Sequence, residues 1–293
     1  MTSVQLVDDT SAQDVLEVIR EAFGNRPPLD PPATALDETV DSVAQALSIH
    51  GGLLVRTTAG PVGALIFENR DPWLGLRRVG VVSAAQGQGI ARALAQKAAE
   101  VAAERGHLGL ELQARAELPR TQDFWRRQGY SIADRDGNRI TMRRLLPVVL
   151  ELPTAEDTTD LGRSLAADLR AGDVLILTGD LGAGKTTFTR GLGEGLGVRG
   201  AVTSPTFVIS RIHPSLGTGP ALVHVDAYRL GGVAELDDLD LDTDLDQAVT
   251  VVEWGAGLAE GLAEDRIEID LLRRADDVRA ATINRIGTRW VSR

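Results

Sequence analysis

Gly179-Asp-Leu-Gly-Ala-Gly-Lys-Thr186 fills every defined position of the pattern G-x-x-x-x-G-K-[ST]. Just upstream, Val174 to Leu177 is a short apolar run that reads as a buried strand, and a helix is expected to open at Lys185. Strand, glycine-rich turn and helix in that order make a cradle for phosphate. The glycines let backbone N–H groups converge on an anion without side-chain interference. Lys185 is placed to neutralise β- and γ-phosphate charge, and the Thr186 hydroxyl to ligate Mg2+. Gly191, Gly193, Gly195 and Gly197 each cost about 1 kcal/mol in a helix interior, so this helix is expected to end early.

Two further apolar runs end in acids. Leu222 to Val225 leads into Asp226, and Val249 to Val252 leads into Glu253. Uninterrupted apolar strands suit the parallel sheet of a layered α/β domain, whose ligands sit beyond the carboxyl ends of the strands. Both carboxylates can then face the same Mg2+ and γ-phosphate as the Gly179–Thr186 turn, which makes Lys185, Asp226 and Glu253 the candidate catalytic residues. The same half opens with a strand at Val148 to Leu152 and a helix from Asp157 to Arg170. The strand-helix pattern restarts around Arg143-Arg144-Leu-Leu-Pro147, which predicts two domains, 1–146 and 147–293.

The first half also alternates strand and helix. Strands are expected at Val4 to Val7, Leu53 to Thr57, Val62 to Glu68, Arg77 to Val82, Leu108 to Gln113, Tyr130 to Ala133 and Arg139 to Arg143. Helices are expected from Ser11 (as N-cap) to Phe23, Asp37 to Ser48, Ile90 to Arg105 and Arg120 to Gln128. Arg26-Pro-Pro-Leu-Asp-Pro-Pro32 cannot be helix interior, and Ala59-Gly60-Pro61 signals a hairpin.

Composition narrows the class. The 293 residues contain no cysteine, which excludes disulfides, thiol catalysis and cysteine-ligated zinc. No apolar run reaches the roughly 20 residues of a membrane-spanning helix, and no secretion signal is evident, so a cytoplasmic protein with no membrane contact is expected. The formal net charge of −11 argues against autonomous binding to a nucleic-acid backbone. Only two lysines occur, Lys97 and Lys185. With none after Lys185, the guanine-reading [NT]-K-x-D element is missing, and ATP is preferred over GTP. Asp242, Asp244, Asp246 and Glu253 fall at calcium-loop spacing, but Gln247 stands where the turn needs glycine, so a solvated acidic surface is expected. His213 and His224 share no ligand spacing and are assigned no metal.

Beyond the Gly179–Thr186 turn, four pieces follow in fixed order: Thr203-Ser-Pro-Thr-Phe207, His224-Val-Asp-Ala-Tyr-Arg-Leu230, Glu235-Leu236 and Glu253-Trp254. This set resembles the TsaE family, ATPases needed in bacteria for threonylcarbamoylation of the adenosine beside certain tRNA anticodons. The resemblance extends from about Val148 onward and implies a P-loop α/β domain with a mainly parallel central sheet. It further implies partners like TsaB and TsaD, with tRNA met only indirectly. Carried over by motif, Asp180, Leu181, Gly182, Ala183, Gly184, Lys185, Thr186 and Thr187 bind phosphates, with Thr186 and Glu253 at Mg2+. Asp226 lies near the γ-phosphate, and 203–207 forms a nucleotide-sensitive loop.

In the first half, Gln86-Gly-Gln-Gly-Ile-Ala91 precedes the Ala-rich helix, and Phe124-Trp-Arg-Arg-Gln-Gly-Tyr130 follows later. These resemble the GNAT acetyltransferases, which implies a mixed sheet with helices. They also imply an acetyl-CoA site at Val81, Val82, Gln86, Gly87, Gln88, Gly89, Ile90, Ala91 and Arg92. Many members carry tyrosine where this chain has Trp125, and indole cannot protonate a departing thiolate. Glu68 and Glu111 are base candidates only because they sit on or at the end of strands, and an ordinary solvated residue is the favoured reading of each. Four readings stay open: an ATPase serving tRNA modification, a small-metabolite kinase with Asp226 as base and Arg229 on phosphate, an N-acetyltransferase regulated by a nucleotide-binding domain, and an N-terminal half that is an inactive scaffold.

Overall fold

The computed structural model describes residues 3–24, 26–27, 29–205, 208–237, 246–275 and 278–292. The chain divides into two compact units, Met1–Leu146 with Val291–Arg293, and Pro147–Trp290. If each unit folds on its own core, cutting near Pro147 is expected to leave two soluble fragments that each unfold cooperatively. Aggregation of both fragments, followed by light scattering, would place the boundary elsewhere.

The first unit holds β1 (Ser3–Val7), α1 (Ala12–Gly24), α2 (Val40–His50), β2 (Gly52–Thr57), β3 (Gly60–Arg70) and β4 (Trp73–Val81). Then come α3 (Ile90–Glu104), β5 (Gly109–Arg115), α4 (Pro119–Arg127), β6 (Ser131–Asp136) and β7 (Arg139–Leu145). Its sheet runs β1-β2-β3-β4-β5-β7-β6, antiparallel except where β4 meets β5. Strand alternation sorts the core onto two faces. Leu54 and Ile66 pack with Val15, Leu16 and Leu47 of α1 and α2, while Leu53 and Leu65 pack with Leu94 and Ala98 of α3. Ser11 does not cap α1; a short 3-10 turn over Asp9–Ser11 precedes it, and the Asp8 carboxylate accepts from the Thr10 N–H at 3.1 Å.

The second unit holds β8 (Val148–Leu152), α5 (Ala155–Leu165), β9 (Val174–Thr178), α6 (Lys185–Leu196), β10 (Ser210–His213) and β11 (Ala221–Asp226). It continues with α7 (Val233–Asp237), β12 (Ala248–Glu253), β13 (Arg266–Arg273) and β14 (Arg279–Ile286). The sheet order is β10-β11-β12-β9-β13-β14-β8. Its four central strands are parallel, and the outer strands pair antiparallel. The sheet is therefore parallel only in its centre. The apolar runs read from the sequence are β9, β11 and β12, three neighbours in that centre.

Helix α6 does not end early. It runs through Gly191, Gly193 and Gly195 and stops at Gly197, which takes the left-handed conformation at φ 67°. The reason is tertiary. A Cβ on Gly191 would collide with the Thr159 carbonyl oxygen of α5, and one on Gly162 of α5 with the Phe188 carbonyl oxygen of α6. The two helices approach so closely that only hydrogen fits, and their contact offsets the local cost of glycine.

Candidate functional site

The turn between β9 and α6 is shaped by backbone positions that side chains rarely adopt. Gly179 lies at φ 137°, and a Cβ there would strike the Leu271 carbonyl oxygen on β13. Gly184 opens α6 at φ 110° with no side-chain cap. The unpaired N–H groups of the first helical turn, and the positive end of the helix dipole, are thus left for an anion. Lys185 is 5% exposed, and its Nζ donates to the carbonyl oxygens of Gly179 (2.7 Å) and Asp180 (3.0 Å). It also lies 3.7 Å from the centre of the Trp254 ring. Burial pulls the Lys185 ammonium below the ordinary lysine range, against the opposing pull of Glu253, Asp226 and Asp180.

Parallel register puts Asp226, the last residue of β11, directly beside Glu253, the last residue of β12. Both are buried. The Thr186 hydroxyl lies 3.1 and 3.3 Å from the two Glu253 carboxylate oxygens, so Lys185, Thr186 and Glu253 converge at one strand end. Asp226 accepts from the Tyr228 N–H at 3.1 Å and from the Ser204 hydroxyl at 3.4 Å. Ser204 belongs to the 203–207 loop, of which residues 206 and 207 lie outside the described residues. Arg229 is exposed in the turn after β11. Asp242 and Asp244 of the calcium-like spacing also lie outside the described residues.

In the first unit, β4 and β5 pair only over Trp73–Leu76 with Gly109–Leu112. Beyond Leu76 they part, and Arg78 at φ 53° accompanies a register shift between β3 and β4. Two cavities meet at the opening. One, of about 470 Å³, is lined by Val81, Gln86, Ala91 and Phe124; the other, of about 480 Å³, by Glu68, Arg70, Glu111 and Gln113. Trp125 lines both. Gly87 (φ 76°) and Gly89 (φ 78°) bend the chain into α3, whose first turn has no side-chain cap. This second uncapped helix start also suits an anionic group.

The base candidates are tied up. Glu111 is 5% exposed and held by Arg70 and Arg143, each at 2.8 Å, so it is a buried ion pair rather than a solvated residue. Glu68 is paired with Arg70 at 2.6 Å. Trp125 packs edge-on against Tyr130, with ring centres 5.0 Å apart. Burial pushes the Tyr130 hydroxyl above the ordinary tyrosine range, and it has no hydrogen-bond partner among the described residues.

Residues 152–281 match the family model described as threonylcarbamoyl adenosine biosynthesis protein TsaE. A TsaE protein of Streptomyces coelicolor is 63% identical over 138 residues, which cover 45% of this chain and 93% of that protein. The chain belongs to the TsaE family. A solved structure of Bacillus subtilis YdiB is 36% identical, covering 49% of this chain and 88% of that one, with a TM-score of 0.41. Ahead of the TsaE half, residues 15–130 match the acetyltransferase (GNAT) family, so a GNAT domain and a TsaE domain share one chain. A PaiA N-acetyltransferase from Thermoplasma acidophilum, solved with coenzyme A, is 14% identical over 50% of this chain and 99% of that one, at a TM-score of 0.44.

Two features of the TsaE half escaped the sequence reading. Trp254, at φ 62°, covers the Lys185 ammonium, and its own ring packs 5.1 Å from Tyr228. His224, fully buried, places Nε2 at 2.8 Å from a Glu253 carboxylate oxygen. Strand alternation offered a signal for His224, since an imidazole between Leu222 and Asp226 shares the face of its even-numbered neighbours.

Proposed function

We propose that the TsaE half hydrolyses ATP with Mg2+ to drive or reset an assembly that makes threonylcarbamoyladenosine in tRNA. The observation that carries this reading is the meeting of Thr186 with Glu253, beside Asp226, where the Lys185 turn also ends. Among the described residues, no three His, Asp or Glu side chains cluster as a metal cage. Magnesium needs none: it takes one or two protein oxygens and completes its shell with phosphate and water, so the Thr186 and Glu253 oxygens fit it. When bound, the ion supplies charge neutralisation on the β- and γ-phosphates.

The chain's own groups account for the rest. The α6 N-terminus and residues Asp180 to Thr187 cradle phosphate, Lys185 neutralises it, and Asp226 orients water or metal near the γ-phosphate. TsaB- and TsaD-like proteins are the partners this reading expects, with tRNA met through them, in the cytoplasm. The net charge of −11 accords with indirect contact to RNA. No helix among the described residues is long and apolar enough to cross a membrane.

Glu253→Gln tests the metal role. Mg2+-dependent phosphate release is expected to fall about tenfold or more, while ATP affinity measured without Mg2+ changes less than about twofold. If rate and Mg2+ dependence are both unchanged, Glu253 is only structural. A metabolite kinase would instead require an acceptor for the phosphoryl group, so phosphate release from ATP and water alone separates the two readings.

For the GNAT half, the reading is acetyl-CoA binding at Val81, Val82 and Gln86 to Arg92, with slow transfer. The uncapped start of α3 supports binding, and Trp125 with the ion-paired Glu111 supports slowness. Calorimetry is expected to show acetyl-CoA binding to the full chain, and Trp125→Tyr to raise transfer to amines about tenfold. Brisk turnover by the parent with no gain from tyrosine would contradict the account of the missing acid.

A further inference from the structure

His224 is a fully buried titratable group that the proposed chemistry leaves unused. It lies on central strand β11 with no exposed surface, and its Nδ1 has no hydrogen-bond partner among the described residues. Buried polar atoms are normally satisfied, and this imidazole leaves Nδ1 unsatisfied, so it needs a reason beyond packing. Its one hydrogen bond among the described residues is Nε2 to Glu253 at 2.8 Å. A carboxylate that is to hold Mg2+ must accept, so a magnesium role calls for the tautomer in which Nε2 carries the proton and donates. The same Glu253 oxygen lies 3.1 Å from the Thr186 hydroxyl. Glu253 is therefore held between His224 and Thr186, which both reach its Oε1.

We infer that His224 is a positioning residue: its Nε2–H holds the Glu253 carboxylate in the orientation that presents its oxygens, with Thr186, to Mg2+. This rests on the magnesium-dependent reading above. The bond spans two adjacent strands of the rigid sheet centre, which suits the orienting of a metal-ligating oxygen. Without it, Glu253 keeps its burial but loses its fixed direction.

The test compares His224→Leu with His224→Gln in the full chain. Glutamine can offer an amide N–H near the place of Nε2, and leucine offers none. In the leucine variant, the Mg2+ concentration for half-maximal phosphate release is expected to rise about tenfold, and kcat to fall by a similar factor. The KM for ATP at saturating Mg2+ and the ATP affinity without Mg2+ should stay near parental, while the unfolding midpoint falls by a few degrees because a buried carboxylate loses a donor. The glutamine variant should recover most of the Mg2+ response. A leucine variant with the parental Mg2+ response overturns the inference while leaving the ATPase reading intact. Equal loss in both variants, together with lost ATP affinity and stability, marks His224 as structural and also overturns it. A parent without Mg2+-dependent turnover sinks both readings together. Imidazole nitrogen NMR on the parent gives an independent check: Nε2 should bear the proton, and an unprotonated Nε2 rejects the inference whatever the activity.

Discussion

Lys185→Ala is expected to lower ATP hydrolysis by the full chain about a hundredfold or more, with the fold retained. The magnitude follows from removing a fixed positive group aimed at charge that develops during phosphoryl transfer. The ammonium now donates to the Gly179 and Asp180 carbonyl oxygens and lies over Trp254. Those contacts hold it at the mouth of the turn, where phosphate oxygens can replace the carbonyls as acceptors. Stability should change little, because the lysine makes its two bonds at the cost of a desolvated charge. Circular dichroism melting checks the fold, and phosphate release by the purified variant checks the function. Undiminished release would remove Lys185 from the chemistry.

Gly191→Ala is the second large effect, and it falls on stability. One methyl group there would meet the Thr159 backbone oxygen of α5, and backbone cannot swing aside as a long side chain can. Overpacking of this kind costs on the order of 3 kcal/mol, or roughly 10 °C in the unfolding midpoint of a unit this size. Helix α6 also carries Lys185 and Thr186, so a shift of α6 away from α5 should weaken ATP binding as well. Gly261 is the control, because a Cβ there meets nothing within 4 Å. Its alanine variant should melt within a few degrees of the parent. If Gly191→Ala melts with the parent too, the close helix contact does not hold α6 in place.

Much of the TsaE half was legible in the sequence because its chemistry is local. The turn needs glycine at set positions and a lysine next to them, and few other sequences satisfy that geometry. Asp226 and Glu253 were legible as acids closing apolar strands, and parallel register then set them side by side. The length of α6 was not legible, since glycine penalties are local while the α5 contact that offsets them is tertiary. His224 was set aside because its partner is 29 residues away in the chain and on another strand. Strands β13 and β14 went unread, although Ile267, Ile269 and Leu271 alternate with polar residues as a half-buried strand should.

In the GNAT half the strands and helices were legible from periodicity, and the site only in part. The glycines at 87 and 89 announced the bend into α3. The parting of β4 from β5 was hidden, because both read as ordinary strands and only their partial pairing opens the cavity. Nor could residue type alone show that Glu111, on a strand near Trp125, is locked between Arg70 and Arg143.

We propose that one strand end of the TsaE half, built from Lys185, Thr186, Asp226 and Glu253, runs magnesium-dependent ATP hydrolysis. The decisive measurement is phosphate release from ATP by the purified full chain, with Mg2+ and then with a chelator in excess. Release should require Mg2+ and be lost in Lys185→Ala. Release that persists under chelation, or none under either condition even with TsaB- and TsaD-like proteins added, would contradict it.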